Sequence, residues 1–152
     1  MRVPVELADE QERAVDAEDL LDLARHVLTQ RRVPAEMDVT LLLVDRATMA
    51  QLNAVHMGQE GPTDVLAFPI DEPGESPPDV PAVLGDVVLC PEVAAEQAPR
   101  FDRSAHEELR LLTVHGLLHL LGMDHAAPEE EREMFALTDR LLASHRRGAG
   151  DP

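Results

Sequence analysis

Between Ser104 and Leu121 the chain carries Leu109, Leu111, Leu112, Val114, Leu117, Leu118, Leu120 and Leu121, which cover nearly the whole circumference of one helix. A helix without a polar face has to lie inside the molecule, so the other elements must be arranged around it. Ser104 and Glu107 form the S-x-x-E pair that caps a helix start, which fixes where this one begins. Its far end, HGLLHLLGMDH, places three of the seven histidines between His115 and His125. His115 and His119 are four residues apart, so both imidazoles project from one helical face. Gly122 can end the helix in a left-handed conformation and let His125 turn back toward them. Three imidazoles leave a tetrahedral ion one open position, the arrangement of a catalytic zinc at the C-terminal end of the buried helix.

The remaining elements follow from periodicity. Residues 3–7 alternate apolar and polar side chains and read as a first strand. Leu20, Leu21, Leu23, Ala24, Val27 and Leu28 give one apolar face to a helix from Ala17 to about Arg32, capped near Asp16 and closed by Pro34. MDVTLLLV, residues 37–44, reads as a buried strand. A helix from about Ala47 to His56 turns Met49, Leu52 and Val55 inward. GPTDVLAFPI, residues 61–70, is a turn feeding a short strand, and a proline-rich acidic loop follows it. GDVVL, residues 85–89, is a further strand, and Pro91 opens a short helix through Ala98. Beyond the histidine segment, Pro128 and an acidic run start a last helix that ends near His145. The expectation is an α+β fold in which a mixed β-sheet of about four strands packs with about five helices. Residues 1–147 form a single domain and residues 148–152 a disordered tail.

At 152 residues the chain is long enough to bury roughly 70% of the surface of its extended form. Thirteen basic residues, all arginine, against 30 acidic ones give a net charge of -17, which opposes diffuse attraction to nucleic acid or anionic lipid. An RNA partner must therefore be held by a local patch. Cys90 is the single cysteine, so no intrachain disulfide is possible, and no segment has the apolar length of a signal peptide or a membrane span. A cytoplasmic protein with no membrane partner is expected. His26, His56, His106 and His145 lack metal-site spacing and read as surface or capping residues.

The spacing H-x3-H-x2-G-x2-H is shared with metzincin proteases, in which a glutamate follows the first histidine and deprotonates water. Here that position is Gly116, which cannot act as a base, so peptide hydrolysis by that route is not expected. Asp124, beside the third histidine, is the nearest carboxylate able to orient or deprotonate water, or to hold an imidazole in place.

HGLLHLLGMDH, with GPTDVLAFP upstream and LGDVVLCPEVAAEQA between them, resembles the YbeY family of bacterial endoribonucleases over roughly residues 40–142. The resemblance implies one zinc ion per chain bound by His115, His119 and His125. It implies cleavage of single-stranded ribosomal RNA in 3′-end maturation and ribosome quality control, with the small ribosomal subunit as a partner and no DNA partner. Asn53, Thr63 and Asp64 match family positions at the substrate groove, and they read equally well as a helix-end residue and a hydrogen-bonded turn. Gly85 and Asp86 read as shaping a strand entry, with Gln97 facing the groove. Many family members hold substrate phosphate with an arginine at the position of Met57. Arg46, Arg103 and Arg110 are the candidates to replace it, and surface solvation is the plainer reading of each. The alternative function is a zinc-stabilised ribosome assembly factor with little or no nuclease activity. A metal hydrolase acting on a peptide or small substrate ranks third, because Gly116 weighs against it.

Overall fold

The computed structural model describes residues 4–71, 82–123 and 127–150. Four strands form one mixed sheet: β1 (Val5–Glu10), β2 (Met37–Val44), β3 (Val65–Pro69) and β4 (Ala82–Leu89), in the order β1-β2-β4-β3. β2 runs parallel to both β1 and β4, and β3 runs antiparallel along the outer edge of β4. Central β2 buries Met37, Val39, Leu41 and Leu43 on one face, whereas its other face runs from exposed Asp38 to buried Val44 and is covered only toward its C-terminal end. Val39, Leu41 and Leu43 join the larger core beneath α1 (Ala17–Gln30), α4 (Ala105–Leu120) and α5 (Pro128–Gly150). Val44 joins a smaller core with Met49 of α2 (Arg46–Met57), against which Val93 of α3 (Pro91–Gln97) also packs. The result is an α+β architecture of three layers, and among the described residues no helix is long and apolar enough to cross a membrane.

Several boundaries differ from the periodicity. β1 extends to Glu10 because its backbone ladder pairs each residue from Val5 through Glu10 with β2, whatever the side-chain charge. β4 starts at Ala82 rather than at residue 85, and Gly85 lies inside the strand at a bulge where the register shifts opposite Asp38 and Val39. The bulge lets Leu84 and Val87, three positions apart, both face the larger core. In α2, Met49 is buried as expected but Val55 is 77% exposed, because the helix lies flat on a small core that reaches only its first two turns. α5 continues past His145 to Gly150, so the tail expected to be disordered from residue 148 begins within a helix that carries on. His145 itself is buried rather than at the surface.

α4 is the buried helix that its leucines demand. Its capping box forms, with Ser104 Oγ accepting from the Glu107 N–H at 3.0 Å and Glu107 Oε1 accepting from the Ser104 N–H at 2.9 Å. It closes as expected, the N–H of Gly122 (φ +91°) donating to the His119 carbonyl and that of Met123 to the Leu118 carbonyl. Two glycines, one from each side, let it lie close on the sheet. A Cβ on Gly116 would sit 2.5 Å from Val87 Cγ1. A Cβ on Gly85 would sit 2.3 Å from the Phe68 carbonyl oxygen and 2.8 Å from Leu120 Cδ2.

Candidate metal centre on the central helix

From Glu108 to Leu120 every residue of α4 is buried except His115 and His119, which are half-buried. The two histidines therefore form the one opening along this part of the core helix. They stand one turn apart on one face, and His115 Nε2 lies shut off from solvent. The ring of Phe135 from α5 meets the His115 imidazole edge to face, with centroids 5.1 Å apart. His125, the expected third ligand, and Asp124 lie outside the described residues. Among the described residues no group of three His, Cys, Asp or Glu side chains converges to hold an ion. The donor set nonetheless suits zinc: two nitrogen ligands at helical spacing, half withdrawn from water, beside a turn that leads directly to a third histidine.

Gly116 gains a second meaning. Its chemistry excludes a protease-type base, and packing also forbids a glutamate at this position, because any side chain there would run into Val87 and Val65.

The turn expected at the groove is held from two sides. Asn53, only 6% exposed, donates from Nδ2 to the Gly61 carbonyl at 2.9 Å. Asp64 Oδ1 accepts from the Val65 N–H at 2.8 Å, and Thr63 donates to the same oxygen. Gln97 Nε2 donates both to Asp64 Oδ2 at 2.8 Å and to Glu108 Oε2 at 2.9 Å, while Arg103 donates to Glu108 Oε1 at 3.0 Å. A chain of Arg103, Glu108, Gln97 and Asp64 thus ties the turn to α4. Glu108 lies seven and eleven positions before the two histidines, within about 20° of each around the helix. The same helical line that carries the imidazoles therefore also anchors the turn. Glu108 is absent from the residues that spacing singles out, although a signal for it exists: a carboxylate on a helix that must be buried requires partners.

The three arginines considered as replacements at Met57 are all committed elsewhere. Arg46 pairs with Glu96 and, at 3.6 Å, with Glu92 of α3. Arg103 holds Glu108 and lies over the Phe101 ring at 5.1 Å. Arg110 is buried between Asp19, at 2.6 Å, and His145 Nδ1, at 3.0 Å. Met57 itself is 57% exposed at the end of α2.

Behind the site a second polar network joins α1, α4 and α5. His106 and Arg110 both bind Asp19, and His145 Nε2 lies 2.8 Å from Asp22. His26 Nε2 lies 2.7 Å from Ser144 Oγ. Burial acts to raise the Asp19 carboxyl, but hydrogen bonds and charge from Arg110 and His106 outweigh it and hold it below its ordinary range. His26 is pushed down by burial and by neighbouring His145, against a smaller upward pull from Asp22. Nothing in the spacing of these histidines foretells the network, which depends on three helices meeting.

The sequence matches the family described as Endoribonuclease YbeY over residues 6–146. The Endoribonuclease YbeY of Salinispora tropica is 55% identical over 150 residues, covering 93% of this chain and 96% of that protein. The Mycobacterium tuberculosis protein of the same name is 50% identical over 143 residues, covering 91% of this chain and 81% of its own length. The solution structure of TM1509 from Thermotoga maritima aligns with a TM-score of 0.63 at 26% identity, covering 97% of this chain and 93% of that one.

Proposed function

The chain belongs to the YbeY family of endoribonucleases, and on that premise we propose that it cleaves single-stranded ribosomal RNA at a zinc ion held by His115, His119 and His125. Its setting would be the 3′-end maturation and quality control of ribosomes in the cytoplasm, with the small ribosomal subunit as its partner. The observation that supports this reading best is the opening that His115 and His119 make in an otherwise buried helix. When bound there, zinc would supply Lewis acidity, polarising a phosphoryl oxygen or acidifying water.

The chain's own residues would do the rest. His115 and His119 are set by a helix that Gly116 and Gly85 allow to lie close on the sheet, which fixes their positions before substrate arrives. Thr63 and Asp64 form a wall of the groove. Asn53 and Gln97 hold that wall from behind through Gly61 and Asp64. Asp124, beside the third histidine, would take a proton from water or hold the imidazole. Metal analysis of the purified protein beside a cleavage assay on single-stranded ribosomal RNA tests the reading. One zinc per chain and cleavage that disappears in His115→Ala are expected, and intact RNA with fully loaded wild-type protein would sink it.

The committed arginines, exposed Met57 and a net charge of -17 favour one other reading, a ribosome assembly factor in which zinc fixes the end of α4. It predicts that metal-site variants lose stability and ribosome association together, with no cleavage under any condition.

A further inference from the structure

We infer that Phe135 is a stacking platform for a base of the single-stranded RNA next to the bond that is cut, an inference that rests on the endoribonuclease reading above. The chain has three phenylalanines and no tyrosine or tryptophan, so aromatic surface is scarce. Phe135 nevertheless leaves 46% of its surface exposed. It does not belong to the face of α5 that enters the core, where Met134, Thr138, Leu141 and His145 are buried. Instead its ring meets the imidazole of His115 edge to face while nearly half of the residue stays exposed to solvent. An apolar ring continuous with the reacting centre offers a π-face that any base can cover, without sequence preference.

The charges around it set the form of the contact. Glu129, Glu130, Glu131 and Glu133 crowd the start of α5, with Arg132 as the lone cation among them. Such a surface repels phosphate. It accepts the uncharged face of a base, so this contact contributes affinity that depends little on salt.

A chain without tryptophan makes a direct test available. Phe135→Trp introduces a single indole fluorophore, and stopped-flow mixing with a single-stranded oligoribonucleotide should quench its emission before cleavage. In parallel, Phe135→Leu keeps an apolar contact with His115 and should raise KM roughly five- to a hundredfold, with zinc content and Tm near those of wild type. Replacing single nucleotides by abasic ones should weaken wild type at one position beside the cut and weaken Phe135→Leu no further there. Unchanged indole emission from the Phe135→Trp variant, while anisotropy of labelled RNA reports binding, overturns the inference. So does a Phe135→Leu variant that loses zinc or kcat with KM unmoved, since the ring would then only brace His115. A wild-type protein that neither binds nor cuts single-stranded RNA removes the parent reading and this one with it, a result distinct from either of those.

Discussion

At the scale of single residues, the two glycines that seat α4 are as demanding as the histidines they help to place. Gly116→Ala puts a Cβ against Val87, a stiff branched residue in the core, and should destabilise the fold by about 1–3 kcal/mol in urea titration. A variant as stable as wild type would show that α4 can lift from the sheet without cost. His119→Ala should abolish zinc retention through gel filtration while leaving far-UV circular dichroism unchanged; metal still bound at one ion per chain would exclude His119 as a ligand. Glu108→Ala leaves Arg103 without its carboxylate and Gln97 with one partner, and should lower stability by about 1–3 kcal/mol. The histidine pair is legible from the sequence because helical spacing alone puts two imidazoles on one face. Gln97 is singled out only by the family resemblance, and Glu108 with its bond to Gln97 is not legible, since their meeting depends on where α3 packs against α4. The arginine candidates are legible only as charges, and their carboxylate partners come from α1, α3 and α4 itself.

Among elements, the contact of α5 with α1 and α4 carries a pH dependence whose sign can be worked out. His26 has a folded pKa below its ordinary value, so the unfolded chain binds the proton more readily. Its contribution is whole above about pH 6.5 and is lost as pH falls through the folded pKa. Asp19, also depressed, adds a second loss at lower pH, below the ordinary carboxylate range near 4. Thermal unfolding followed from pH 8 downward should therefore show Tm falling in two stages, and His26→Gln should remove the upper one. A flat Tm between pH 7 and 5 in wild type would contradict this. Helix starts and strand cores are readable because caps and apolar runs are local signals, as β2 and the Ser104 box show. The bulge at Gly85 and the exposure of Val55 are not, because each is decided by what lies across the sheet.

For the molecule as a whole, a net charge of -17 means that compaction works against self-repulsion. Raising sodium chloride from about 10 mM to about 200 mM shortens the Debye length from roughly 30 to 7 Å and should raise Tm. A decrease would mean that ion pairs such as Arg110 with Asp19 outweigh the repulsion. The sheet order has a kinetic consequence. Its central pair joins Val39 to Gly85, strands far apart in the chain, and parallel pairing cannot begin until that long loop closes. α4 follows β4 in sequence and rests on it, so the histidines are seated on the sheet only once that long loop has closed. A chain still being synthesised would therefore carry no assembled cleft until nearly all of it had emerged, and an unfinished copy would pass beside RNA without cutting it.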